Sequence, residues 1–360
     1  MEDSFFPPPE ELPFDEVVRA LLDSEQVLDP LYLYRLSDIS PNDLSSLKDI
    51  WEEIHLERRR GLIEDLEQLT DSNNLLSFEP VFRLALNDGD EQVRFYAIRA
   101  IEVFDTDDLI PFFLSVLSEE SSVDIRAVTA SVLGKYIYRG ELDKIGKDQQ
   151  KEIEDHLLAV LDNEGPQEVQ RRALEAISFS SRDEVRDQIL KAYHREEDDW
   201  IASALFAMGR SYDHEYCDLV VEKLQHTSPK IRLEAVRACG ELTIEDAVPL
   251  ILDLLDDLPE IRGAAIWTLS QIGGEEAGPA LRDLLEDEIT TEEEELIHQA
   301  LERLDFLEEG IDMSIINLQF DDDEYILDDY DYQQDGYDDE FGPDDIGLDD
   351  FDLDDDLWME

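Results

Sequence analysis

Ile231-Arg232-Leu233-Glu234-Ala235-Val236-Arg237-Ala238-Cys239 and, thirty residues on, Ile261-Arg262-Gly263-Ala264-Ala265-Ile266-Trp267-Thr268-Leu269 decide the fold of this chain. Apolar residues hold the first and ninth positions of each stretch, and small ones the fifth and eighth. Those positions share one face of a helix with 3.6 residues per turn. Val93, Ala97, Ala100 and Ile101 repeat the pattern, and a bulky apolar residue opens further helices at Ile125, Val169, Trp200 and Leu296. Eighteen residues after three openings stands a proline: Val93 to Pro111, Ile231 to Pro249, Ile261 to Pro279. A period near 30 residues predicts a stack of helix pairs, none able to bury its apolar face alone. Small fifth and eighth residues let adjacent helices approach closely, where larger ones would overpack the stack.

Working outward, the pattern predicts pairs near 78–87/90–104, 107–118/121–138, 148–162/166–179, 182–194/197–211, 213–225/228–242, 245–256/258–272 and 275–287/291–304. A degenerate first pair precedes them. Ser40-Pro41-Asn42-Asp43 supplies an N-cap and a first-turn proline, then Leu44, Leu47, Trp51 and Ile54 follow at helical spacing. Its second helix runs from about Leu56 to Leu69. Pro166 and Pro229 are expected at first helical positions, and Thr291 with Glu294 as a capping box. The 44-residue spacing from Ile125 to Val169 places a polar loop at Tyr138 to Gln149. Residues 1–40 read as a loose arm with one short helix, and 41–305 as the repeat array. Residues 306–360 read as a disordered acidic tail.

Charge narrows the partners. The chain has 94 acids against 29 bases, a formal net charge of -65, and its last 55 residues hold 23 acids and no base. Nucleic-acid binding draws most of its affinity from Lys and Arg on phosphate, so direct nucleic-acid binding is not expected. Anionic membrane surfaces are disfavoured for the same reason. No apolar run reaches the length of a membrane span, and no apolar segment follows a basic start at the N-terminus. Cys217 and Cys239, without C-x-x-C spacing, fit reduced thiols of a cytoplasmic protein.

The openings Val93-Arg94, Ile125-Arg126, Ile231-Arg232 and Ile261-Arg262 carry a resemblance. So do Ala247-Val248-Pro249-Leu250 and Ala277-Gly278-Pro279-Ala280 at the starts of first helices. Together they resemble the short HEAT repeats called phycobilisome-lyase-like. Ser203 to Ser211 and Ala265 to Gly274 look like a bacterial HEAT-repeat family of unassigned function. Over residues 40–305 the resemblance implies an all-α, right-handed α-solenoid of about eight HEAT-like helix pairs. Trp200-Ile201 and Leu296-Ile297 lack the arginine, which puts an arginine link between repeats in doubt there. Some proteins with this repeat attach tetrapyrroles, so a phycobilin lyase or chromophore chaperone is the alternative function, although nothing marks a chromophore pocket.

No catalytic constellation is present. A di-iron hydroxylase of the deoxyhypusine type needs several His-Glu dipeptides, and this chain has only His214-Glu215. A DNA glycosylase of the HEAT-like type needs a basic groove, which the charge opposes. His214 and Cys217 share a helical face, but zinc wants three or four ligands, so a surface histidine beside a core cysteine is expected. Asp331 to Gly342 imitates a calcium loop yet ends in glycine where a bidentate Glu belongs. No metal or cofactor is expected.

The expected function is a non-enzymatic scaffold or adaptor for protein partners with a basic surface. Its sites are placed in two regions. One is the third and seventh positions of the second helices, expected to line a concave groove: Phe95, Arg99, Arg171, Phe206, Leu233, Arg237 and Trp267. These are next to the buried stripe and suit a peptide or helix. The other is the tail, where Tyr325, Tyr330, Tyr332, Tyr337, Phe341, Phe351 and Trp358 interleave with the acids. Acid steers a basic partner and rings anchor it. The tail either engages an external partner or shields the groove.

Overall fold

The computed structural model describes residues 12–286 and 289–308, which belong to a unit spanning Met1–Met313; the unit Ser314–Glu360 lies outside the described residues. The fold is an α-solenoid, and no strand occurs among the described residues. Two short helices come first, α1 (Phe14–Leu22) and α2 (Pro30–Tyr34). Eight pairs follow. Their first helices are α3 (Pro41–Ile50), α5 (Glu79–Ala85), α7 (Ile110–Glu119), α9 (Lys147–Asp162), α11 (Asp183–Tyr193), α13 (Cys217–Lys223), α15 (Val248–Asp253) and α17 (Ala277–Leu284). The second helices are α4 (Leu56–Ser72), α6 (Glu91–Ala100), α8 (Val123–Glu141), α10 (Gln167–Ile177), α12 (Asp198–Arg210), α14 (Pro229–Glu241), α16 (Pro259–Ile272) and α18 (Thr291–Glu308). Each second helix packs on the one before and the one after it, so these eight form a continuous row.

Burial follows the repeat. Val93, Ala97, Ile231, Ala235, Cys239, Ala265 and Leu269 are wholly buried. Glycine at the tenth position tightens the row. A Cβ on Gly134 would lie 3.1 Å from the Ala176 Cα, and one on Gly209 would lie 3.1 Å from the Ala238 Cα. Gly240 likewise faces Thr268 and Gln271 of the next second helix. Close backbone approach at one point per repeat is what these glycines permit.

Arginine at the second position ties pairs together. Arg94 donates to the Asp88 and Gly89 carbonyls of its own pair and reaches Glu120 of the next at 3.1 Å. Arg232 does the same with the His226 and Thr227 carbonyls and with both oxygens of Asp257, each at 2.7 Å. Arg60–Asp90 and Arg262–Glu293 are equivalent ties. A fork of five donors suits such double duty. At Ile201, where the arginine is missing, the residue is buried. Lys230 joins Asp199 there at 2.7 Å.

Several boundaries differ from the sequence reading. The arm is not loose: Val17 and Leu21 are fully buried, α1 packs on α3, and a second helix (α2) is present, capped by Asp29. The loop expected at Tyr138 to Gln149 shrinks to residues 142–146, because α8 runs to Glu141 and α9 starts at Lys147. Gly140 is helical, and Gln150 packs where a Cβ would stand, so a larger residue there would clash. Pro166 is the N-cap of α10 rather than its first residue. At α18 the cap is Thr290, whose hydroxyl accepts from the Glu293 amide, while the Glu293 carboxylate turns to Arg262. Ser40 caps α3 as expected, accepting from the Asp43 amide at 3.2 Å. The last helix runs to Glu308, three residues beyond the expected end of the array at 305.

Candidate binding surface

The third, seventh and eleventh positions of the second helices form a stripe along the row, one helical turn apart on each. On α6, Phe95 and Arg99 are half-buried and in contact, the guanidinium 5.5 Å from the ring centre. Arg99 also grips both oxygens of the buried Glu67 on α4. Burial pushes the Glu67 carboxyl up, and Arg99 opposes this only in part. Phe206 on α12 is half-buried under Arg210, 5.1 Å from it. Arg210 also faces Phe179, just after α10, at 5.8 Å. Trp267 on α16 is half-buried beneath Arg303 of α18 at 5.4 Å. Arg237 bridges to Glu234 on its own helix at 3.1 Å. Such guanidinium–ring contacts contribute about 0.5–2 kcal/mol each, more as water is excluded.

Two of the expected groove residues are mostly covered: Arg171 and Leu233 are each 8% exposed, so only an edge of each reaches the face. On α8 the equivalent positions are Ala127 and Ser131, both buried. The structure therefore joins Phe95 to Arg99 directly but separates this pair from Phe206, Arg237 and Trp267 by small residues. Position eleven was missed in the sequence. Lys135 there caps the end of α6, donating to the Glu102 and Phe104 carbonyls at 2.7 and 3.2 Å. Phe179 and Arg210 also occupy it. Extending the i, i+4 stripe by one more turn would have found all three. The tail residues Tyr325, Tyr330, Tyr332, Tyr337, Phe341, Phe351 and Trp358 lie outside the described residues.

Glu102 stands at the tenth position, where other second-helix segments have Gly134, Ser178, Gly209, Gly240 and Ser270. Its Oε1 is buried with no hydrogen-bond partner among the described residues. Burial pushes the carboxyl up to about 7, against the pull of Lys135 and Arg99. Between 4.5 and that value the folded state holds a proton the unfolded chain has released, so this group's contribution falls as pH rises. Glu102→Gln is expected to raise stability by about 2 kcal/mol at pH 8 and hardly at all at pH 4. Unfolding midpoints of the two proteins at both pH values check it; an equal offset at each would contradict the assignment.

Cys217 Sγ lies 3.7 Å from the exposed His214 Nδ1. Cys217 is half-buried rather than core, because it sits where a 3-10 turn passes into the short α13. Burial raises its thiol, and that of Cys239 up to about 12. Glu215, of the single His-Glu dipeptide, pairs with Arg186. No group of three or more His, Cys, Asp or Glu among the described residues is placed to hold a metal. No helix among them is long and apolar enough to cross a membrane.

The model of HEAT repeats matches residues 217–302, which are the last three helix pairs. Residues 217–302 are HEAT repeats. The five pairs before the matched HEAT segment stack in the same way. Among solved structures, the CpcE–CpcF complex of phycocyanin lyase from Nostoc sp. PCC7120 is similar at 18% identity and TM-score 0.42, over 63% of this chain and 94% of that one. Human deoxyhypusine hydroxylase is similar at 17% and 0.34, over 81% and 96%. Importin beta is similar at 12% and 0.44, over 85% of this chain and 49% of its own, so the chain spans about half of it. No curated protein sequence matches. Identities this low leave the assignment resting on the repeat match and the stacked pairs.

Proposed function

We propose that this HEAT-repeat protein is a non-enzymatic scaffold that binds protein partners, using the second-helix face and its acidic-aromatic tail. The observation that carries the reading is the row of half-buried rings each in contact with a guanidinium, Phe95/Arg99, Phe206/Arg210 and Trp267/Arg303, along stacked second helices. Aromatic and arginine side chains in partly water-excluded positions are the usual anchors of protein interfaces. The tail, with 23 acids among its residues and no base, suits a partner with a basic surface, and a cytoplasmic setting fits the reduced thiols. Electrostatic capture by the tail fades with salt, since screening acts over about 8–10 Å at physiological ionic strength.

The test is affinity capture with three full-length proteins. These are the wild type, Phe206→Ala/Trp267→Ala, and Tyr325→Ser/Tyr330→Ser/Tyr332→Ser/Tyr337→Ser. The reading expects each variant to lose specific partners while keeping its helical content, and the tail-dependent set to be basic. Retention of one identical set by all three would overturn it. Co-expression with bilin is expected to give no bound pigment; visible absorbance from bound pigment would favour the lyase alternative.

A further inference from the structure

Acids outnumber bases 94 to 29, yet two arginines are more than nine-tenths covered without a carboxylate. Arg210 is 4% exposed and Arg171 is 8% exposed. Among the described residues, neither guanidinium has a hydrogen bond or an ion pair. Arg171 feels the field of Asp199, but Lys230 already holds that carboxylate at 2.7 Å. Arg210 lies against the faces of Phe206 and Phe179. Arg303 repeats the arrangement over Trp267, and its buried Nε has no hydrogen-bond partner among the described residues. The tying arginines Arg60 and Arg232, by contrast, each hold an aspartate by two hydrogen bonds.

A covered guanidinium is costly unless something satisfies it, and ring faces offset only part of that. A carboxylate supplies what is missing, since it meets the fork with two parallel bonds. We propose that the second-helix face is a carboxylate-binding site for an acidic peptide segment of a partner that also carries aromatic side chains. Arg210 and Arg171 take separate carboxylates, and the half-buried rings of Phe179, Phe206 and Trp267 pack beside the segment's aromatics. Dense phosphate polymers are a poor fit. Glu175, Glu234 and Glu241 interrupt the guanidinia on α10 and α14, so an unbroken run of phosphates would meet carboxylates there. This inference rests on the reading of the face as protein-binding and adds the chemistry of the ligand.

The experiment is fluorescence anisotropy on the full chain with labelled decapeptides of alternating Asp-Tyr, Asn-Tyr and Lys-Tyr, and a decamer of thymidylate. The Asp-Tyr peptide is expected to bind best, at least tenfold more weakly to Arg210→Gln and Arg171→Gln, and unchanged with Arg186→Gln. The unfolding midpoints of Arg210→Gln and Arg171→Gln are expected to stay level or rise, because an unpaired covered charge has been removed. A structural arginine would lower them instead. Binding seen only after Asp328, Asp329 and Asp331 are changed to Asn would identify the chain's own acidic segment as a competitor and still support carboxylate recognition. Equal or better binding of the Asn-Tyr or Lys-Tyr peptide overturns the inference and leaves the protein-binding reading standing. Thymidylate binding as tightly as Asp-Tyr overturns the peptide assignment, and no binding by any probe overturns the inference outright.

Discussion

Gly209→Leu is expected to lower stability by about 3 kcal/mol, with a drop of several degrees in the unfolding midpoint. Two effects compete. Glycine inside α12 forgoes about 1 kcal/mol of helix propensity relative to leucine. Against that, the new Cβ would stand 3.1 Å from the Ala238 Cα and 3.4 Å from the Glu241 Cβ. The first of these is backbone of α14 and cannot swing aside. The atoms beyond Cβ would enter a seam with no room for them, so overpacking wins. Gly209→Ala is the informative control. Its single methyl needs a shift of a few tenths of an ångström, and the propensity gain of about 1 kcal/mol nearly cancels that. Thermal melts of the two variants check the pair. A leucine variant as stable as the alanine one would mean that α12 and α14 do not approach this closely.

Asp88→Ala is expected to cost about 3–5 kcal/mol, the range for breaking a buried charge pair and stranding its partner. Asp88 is 3% exposed and serves three groups from three parts of the chain. It accepts from the Trp51 indole at 2.7 Å and from the Asp90 amide at 2.8 Å, and it lies 3.2 Å from Arg59 Nε. Arg59 in turn donates to the Trp51 carbonyl at 3.2 Å. Alanine leaves the indole N–H without its acceptor and takes the buried countercharge from Arg59, which keeps the Trp51 carbonyl and the exposed Glu52 carboxylate. Asp88→Asn keeps an acceptor oxygen but not the charge, so an intermediate loss is expected. Chemical denaturation of the three proteins at neutral pH orders them; alanine and asparagine variants of equal stability would show that the charge contributes nothing.

The two sites mark where sequence legibility ends. Local rules carried the helices well. Ser40 and Pro41 announced α3, and the spaced alanines placed the second helices within a few residues. Pairing across repeats was harder, since it depends on how far each pair rotates against the next, and the period does not encode that angle. Trp51 read as one more apolar residue of the first pair, and its indole donor gave no sign of Asp88, 37 residues away. The tenth-position glycines did leave a signal, because Gly134, Gly209 and Gly240 each stand nine residues after an apolar opening. Phe95, Arg99, Phe206, Arg237 and Trp267 are half-buried, while Arg171 and Leu233 are covered by neighbouring helices. Phe179 and Arg210 lie a turn beyond the third and seventh positions.

Residue-resolved amide exchange on Gly209→Leu and Asp88→Ala tests the central claim, that stability here is assembled between adjacent helix pairs. Faster exchange is expected in α12, α14 and their immediate neighbours for the first variant, and in α3 to α6 for the second. Each footprint should leave the other's helices at wild-type rates. Uniform acceleration of every helix by either substitution would contradict it, since that is how one indivisible core responds.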